Sequence, residues 1–190
     1  MPRVAVIAGP NGSGKSSFYE RVLAVEFPVF INADHIAAAL PDDTPRGDRN
    51  LRAANVAEAR RLRAVQNRED FAFETVFSRT DHWLSFLTAL RSSGFEIWLF
   101  FICTSHPLLN VKRIETRVLH GGHGVPAPKV ISGFDRSIRT VVAAKPVVNQ
   151  LWLYDNTETG LNHKLVARFL HGEADFVAAT IPPWATPFFF

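Results

Sequence analysis

The 190-residue chain has a single cysteine, Cys103, and a single methionine. One thiol cannot build an internal disulfide framework or a cysteine-based zinc site, and it fits a reducing compartment, so a cytoplasmic location is expected. Long apolar runs are also missing. The longest early one, Val4 to Ala8, is too short for a signal-peptide core, and no run approaches the ~20 residues of a membrane span. Nor is the charge strongly of one sign. Lys plus Arg number 21 against 18 acids, for a net +3. A duplex-binding protein concentrates more basic charge on one face. A modest excess suits an anionic small molecule, for instance one bearing phosphates. Hydrophobic residues at 47% and charged residues at 21% describe a globular chain rather than a disordered one. The length suits one domain over residues 1–190, and a chain of that size buries enough surface to need no staple. There is no internal repeat and no low-complexity segment.

Short apolar runs alternate with longer amphipathic stretches, the pattern of a parallel sheet covered by helices. The reading places strands at 3–8, 29–32, 71–75, 96–103 and 151–154. Helices are expected at 15–24, 48–67, 81–92, 107–119 and 127–143. Asn-Ala-Asp-His at 32–35 and Ser-Arg-Thr-Asp at 78–81 offer N-cap chemistry. The stretches 41–45 and 121–126 read as connectors, the second glycine-rich and more mobile. Residues 161–178 read as an added strand, turn and strand, with His171-Gly172 at the turn. The apolar ending, 182–190, is expected to pack back on the body.

The strongest motif is Gly9-Pro10-Asn11-Gly12-Ser13-Gly14-Lys15-Ser16, which fills G-x-x-x-x-G-K-[ST] directly after a strand and at the opening of a helix. Glycines let the backbone wrap a phosphate with its N–H groups turned inward, and the helix N-terminus adds positive potential. Lys15 is placed to reach the terminal phosphates and Ser16 to hold Mg²⁺ through its hydroxyl, with Ser17 completing the nucleotide-binding set. A nucleoside triphosphate ligand follows. No LSGGQ-like signature or strand ending in Asp-Glu supports a transporter ATPase, and no Asn-Lys-x-Asp supports a GTPase. A kinase remains. The base, adenine or guanine, is left open.

Phosphoryl transfer needs a carboxylate near the γ-phosphate to accept the proton of the acceptor hydroxyl. Asp34 and Glu74 both stand at carboxyl ends of strands, where a parallel sheet gathers its ligands. Their bland readings are a helix cap for Asp34 and a salt bridge to the arginine-rich 48–67 helix for Glu74. That helix region carries Arg49, Arg52, Arg60, Arg61, Arg63 and Arg68, which read mostly as a solvated face. Arg113 and Arg117 lie four apart on one helix face leading to Gly121-Gly122, the layout of a lid at about 107–126 that brings guanidinium groups over phosphates. Arg136 and Arg139 are weaker candidates of the same kind. Trp83 and Trp98 could stack on a base, although core packing is the simpler reading.

Taken together, AGPNGSGKS, INADHIA, FAFETVFS, RIETRVLHGGHGVP and the LYDN of 153–156 resemble the zeta-toxin family of small P-loop kinases, over about residues 3–156. The resemblance implies ATP-dependent phosphorylation of a sugar hydroxyl of UDP-N-acetylglucosamine or a similar nucleotide sugar, with a small antitoxin protein as a possible partner. It implies Asp34 as general base, Lys15 and Ser16 as nucleotide and metal ligands, Glu74 as a substrate-positioning acid, and Arg113 as a phosphate-contacting lid arginine. The substrate-side set is Glu74, Thr75, Arg79, His123 and Arg136. Two departures stand out. Val76 replaces a second threonine that contacts the sugar nucleotide, and Gly133 falls where relatives have an arginine. Losing one charge-assisted phosphate contact costs ~1.5–3 kcal/mol of binding. A kinase for another hydroxyl compound or a nucleic-acid end, and an ATP-binding regulatory module with degraded transfer, are the alternatives. The expected fold is a three-layer α/β P-loop kinase with a central parallel sheet of order 2-3-1-4-5.

Overall fold

A computed structural model describes residues 1–41, 45–122, 124–158 and 163–190. Five strands, β1 (Arg3–Ala8), β2 (Phe30–Ile31), β3 (Phe71–Thr75), β4 (Glu96–Cys103) and β5 (Gln150–Asp155), run parallel in the expected order 2-3-1-4-5. The sheet continues beyond β5. Antiparallel β6 (Lys164–Leu170) and β7 (Glu173–Val177) extend it to seven strands. Between them His171 has φ 51° and Gly172 φ 86°. Two successive positive φ values are those of a tight two-residue turn whose twist matches the flanking strands.

Alternation along the strands assigns their side chains to two faces. Val4, Val6 and Ala8 of β1, Phe71 and Phe73 of β3, and Leu99, Phe101 and Cys103 of β4 enter one large core cluster. Ala5 and Ile7, Ala72, and Phe100 and Ile102 enter the other. The central strands are buried on both sides, which is why they read as unbroken apolar runs. Among the described residues, no helix is long and apolar enough to cross a membrane.

The helices are α1 (Lys15–Phe18), α2 (Ala33–Ala38), α3 (Arg46–Asn67), α4 (Thr80–Ser92), α5 (Pro107–Leu119) and α6 (Ala127–Ala144). The expected helix over 15–24 changes character midway, because Tyr19–Leu23 forms a π turn closed by Ala24 N–H donating to the Tyr19 carbonyl at 3.0 Å. The Tyr19 ring stacks on Phe30 at 3.6 Å and its hydroxyl donates to the Phe27 carbonyl at 2.8 Å. A periodicity count cannot resolve one widened turn. The second strand is also shorter than the expected 29–32. It lies at the sheet edge and, among the described residues, pairs with β3 alone.

The caps differ from expectation in two places. Asn32, not Asp34, caps α2, its Oδ1 accepting from the backbone N–H of Asp34 at 2.7 Å and of His35 at 3.4 Å. At α4 the N-cap position is Arg79, with no side-chain cap, and the Thr80 hydroxyl bonds Thr140 instead at 2.7 Å. Nor are the arginines around α3 all solvated. Arg49 donates to the Ala37 and Leu40 carbonyls at 3.1 Å each, closing the end of α2. Arg68 ends α3 at φ 57° and donates to the Ser93 carbonyl at 3.0 Å.

The apolar ending folds back onto the body as a 3₁₀ segment, Pro183–Phe188. Trp184 and Phe188 are buried against Phe101 of β4. The Trp184 indole N–H donates to Asp155 Oδ2 at 2.7 Å, and Lys145 Nζ donates to the Phe188 carbonyl at 2.9 Å. Trp98, partly buried and set against the second core cluster, packs edge-on against Phe27 and donates to Glu96.

Candidate active site

The loop Gly9–Ser16 leaves the carboxyl end of β1 and opens α1. It is pressed against its neighbours. A Cβ on Gly9 would fall 2.1 Å from the Ile102 carbonyl oxygen, and one on Gly14, where φ is 95°, would fall 2.3 Å from Asn156 Nδ2. Asn156 donates to the Ser13 carbonyl at 2.8 Å, so the segment after β5 props the loop from outside. His163 adds to that support, with Nε2 3.3 Å from the Gly14 carbonyl oxygen and its ring edge-on to Phe18 at 5.1 Å. Burial pulls the His163 pKa down, opposed by the Gly14 carbonyl and reinforced by Arg21 and Arg113, which favours the neutral ring. Gly14→Ala forces a positive φ on a side chain and drives it into Asn156. Positive-φ strain of ~1–3 kcal/mol makes the expected loss of nucleotide affinity roughly tenfold or more, measurable by titration with a fluorescent ATP analogue.

Inside the loop the charges are engaged. Lys15 is buried, donates to the Pro10 carbonyl at 3.0 Å and lies 3.6 Å from Glu74 Oε1. The Ser16 hydroxyl donates to Glu74 Oε2 at 2.8 Å, and Asn32 Nδ2 donates to the same oxygen at 3.0 Å. The strand register causes this meeting. Ile31 pairs with Phe73, so Asn32 and Glu74 are next in line at adjacent strand ends. Glu74 therefore does not pair with the arginines of α3. Its partners are Lys15, Ser16 and Asn32. Asp34 differs: its carboxylate is exposed and has no hydrogen bond or ion pair among the described residues.

Two cavities of about 280 Å³ each open here. One follows the phosphate loop and is lined by Gly12, Gly14, Ser16, Ser17, Arg113 and Arg117. The other lies between α3, β3 and α4, where Thr75, Val76, Arg79 and Trp83 form part of the wall. Asn11, Lys15, Asp34 and Glu74 line both. Gly9, Pro10 and Ser13 of the loop line neither.

Arg113 donates to the carbonyls of Asn156 at 2.8 Å and Thr157 at 3.2 Å. Burial lowers its pKa and Asp155 opposes that, leaving it a cation. It is anchored to the segment after β5, not loose on a lid. Arg136 is not brought in: it is exposed, bonds Ser132 one turn back at 3.3 Å and lines neither cavity. His123 lies outside the described residues. Val76 and Gly133 meet, since a Cβ on Gly133 would touch Val76 at 3.7 Å. The two departures from the motif pattern thus adjoin, with Val76 lining the second cavity.

Several residues went unread. Asn32 reads in sequence as a cap within INADHIA, Asn156 belongs to the LYDN segment without an assigned role, and Ala54, Ala57, Glu58 and Arg61 of α3 line the second cavity. Their spacing at 54, 57, 58 and 61 marks one helix face, which the density of charge obscured.

No group of three or more His, Cys, Asp or Glu able to hold a metal occurs among the described residues. The oxygen donors Ser16, Glu74 and Asp34 on one cavity fit Mg²⁺, which takes few protein ligands and keeps phosphate and water oxygens.

A phosphate loop between the first strand and first helix of a 2-3-1-4-5 sheet defines a P-loop NTPase-type α/β domain. Residues 4–132, well over half of the chain, match the AAA domain family, and the chain belongs to it. No curated protein matches the chain by sequence. Among solved structures it is similar to the AvrRxo1-ORF1:AvrRxo1-ORF2 complex with sulphate ions, at TM-score 0.72 and 15% identity over 92% of this chain and 60% of that one. It therefore spans only about 60% of that protein's length. It is also similar to the PezAT chromosomal toxin–antitoxin system of Streptococcus pneumoniae, at TM-score 0.59 and 16% identity over 86% of this chain and 72% of that one. The Pnkp1/Rnl/Hen1 RNA repair complex matches at TM-score 0.56 and 19% identity over 74% of this chain and 45% of that one. At such identities the likeness is one of fold.

Proposed function

We propose that this protein is a phosphotransferase that moves the γ-phosphoryl group of ATP to a hydroxyl of a small acceptor. The observation that carries the reading is the pair of cavities meeting at Asn11, Lys15, Asp34 and Glu74, one of them formed by the phosphate loop. Two substrates with one shared wall are what direct transfer requires.

In this reading the acceptor hydroxyl lies against Asp34, whose unpaired carboxylate takes its proton as the oxygen bonds to the γ-phosphorus. The bond to the β–γ bridging oxygen breaks and ADP leaves. Lys15 follows the β- and γ-phosphates, Arg113 and Arg117 offset charge from the far side of the same cavity, and Glu74 orients the acceptor. Mg²⁺, held by Ser16, would neutralise phosphate charge. Thr75 and Arg79 line the acceptor cavity and complete its contacts.

The acceptor we favour is UDP-N-acetylglucosamine or a similar nucleotide sugar, which rests on the INAD, FET and GGHGVP motifs. The similar folds of AvrRxo1-ORF1:AvrRxo1-ORF2 and PezAT, the second named as a toxin–antitoxin system, support a small antitoxin as a partner. One observation favours a second acceptor. Val76 puts a methyl where a hydroxyl would bond the sugar nucleotide, so another hydroxyl compound or a nucleic-acid end is the competing substrate.

The test is ADP release with Mg²⁺-ATP and a panel of UDP-N-acetylglucosamine, UDP-glucose, free sugars and 5′-hydroxyl oligonucleotides. Turnover that requires a UDP-sugar supports the favoured reading, and turnover with another acceptor selects the second. ATP binding with no acceptor-dependent ADP release sinks both and leaves a regulatory nucleotide-binding module.

A further inference from the structure

We infer that the acceptor carries an anionic group, phosphate or carboxylate, and that Arg61 of α3 receives it. The inference rests on the reading of the second cavity as the acceptor site. Arg61 lines that cavity together with Asp34 and Glu74. Its guanidinium carbon is 5.3 Å from the ring centre of Phe73, 5.6 Å from that of Trp83 and 6.0 Å from that of Phe86.

What sets Arg61 apart is partial burial without a hydrogen bond or ion pair to protein groups among the described residues. Arg3, Arg49, Arg68 and Arg113 each donate to a carboxylate or carbonyl. Arg61 makes no hydrogen bond or ion pair among the described residues, although its guanidinium carries five N–H donors. Glu58, one turn earlier on the same cavity wall, favours its charge from a distance beyond the 4.0 Å of an ion pair. Burial opposes that charge and pulls its pKa down. A half-buried cation held by aromatic rings, with its N–H donors open to the cavity instead of bonded to protein groups, is placed to receive an oxyanion. Guanidinium is suited to this role, being weakly hydrated and able to grip two oxygens of a carboxylate or phosphate at once.

The lining charges of the cavity balance, three against three, but they are not all paired with one another. Its cations are Lys15, Arg61 and Arg79, and its anions are Asp34, Glu58 and Glu74. Lys15 and Glu74 pair with each other. Arg79 is exposed and, like Arg61, makes no side-chain hydrogen bond or ion pair among the described residues. A neutral acceptor would leave both guanidinium groups unanswered. An acceptor whose hydroxyl lies at Asp34 and whose anionic end reaches Arg61 answers one of them and can reach the other.

The experiment is calorimetric titration of the full chain with the phosphate loop first saturated by Mg²⁺ and a non-hydrolysable ATP analogue. UDP probes the phosphate source, glucuronate the carboxylate source and N-acetylglucosamine is the neutral control. The expected result is that one anionic probe binds the parent and binds Arg61→Met roughly tenfold or more weakly, as for a lost charge-assisted bond. Arg61→Lys, which keeps the charge and most of the packing, is expected to fall in between. Affinity for the ATP analogue and the melting temperature of Arg61→Lys should stay at parent values. Unchanged probe affinity in both variants, or binding of N-acetylglucosamine alone, overturns the inference. Because the readout is binding rather than turnover, it stands or falls apart from the ADP-release test.

Discussion

Asp34→Asn is expected to lower kcat by ~10²–10⁴-fold, the range for removal of a general base. The change keeps the shape of the side chain and removes only its ability to take a proton. Two structural facts make the test clean. Asn32 rather than Asp34 caps α2, so the helix start is untouched. The Asp34 carboxylate is exposed and unpartnered among the described residues, so stability should move by no more than about 0.5 kcal/mol. Acceptor-dependent ADP release and a urea unfolding curve check the two halves. Parent-like turnover in the variant would remove Asp34 from the chemistry.

Lys15→Met should act on both activity and stability. Loss of a cation aimed at transferring phosphate costs ~10²–10³-fold in rate, on the scale of a lost transition-state donor. In the folded protein the same ammonium lies 3.6 Å from Glu74, with both groups largely buried. Removing one partner of a buried pair costs ~3–5 kcal/mol, and here less, about 1–3 kcal/mol, because Ser16 and Asn32 still donate to Glu74. The double variant Lys15→Met/Glu74→Gln should recover much of the stability and none of the activity. Recovery of both would mean that the lysine only holds the loop together.

Much of this architecture was legible because the central strands announce themselves. Strands 3–8, 71–75 and 96–103 are uninterrupted apolar runs that must be covered on both faces, and the glycine-lysine loop fixes which one lies at the centre. The sheet order 2-3-1-4-5 followed, with β6 and β7 added at one edge. What escaped depends on contacts far apart in the chain. Asn156 meets Ser13 across 143 positions, and Ser16 meets Glu74 across 58. No local pattern encodes such pairs. Arg61 was hidden differently, as one arginine in a charged helix whose buried face is built from the small side chains Ala53, Ala57 and Ala64. Arg136 was drawn in by its place downstream of the glycine-rich connector, but α6 turns it to solvent.

The grip of Glu74 on Lys15, Ser16 and Asn32 carries a consequence for kinetic order. The carboxylate proposed to orient the acceptor is bonded to the two groups proposed to bind nucleotide and metal. On the proposed roles, binding of the phosphates by Lys15 and Ser16 would free Glu74 for the acceptor, and ordered addition, nucleotide before acceptor, is the expected pattern in initial-rate and product-inhibition kinetics.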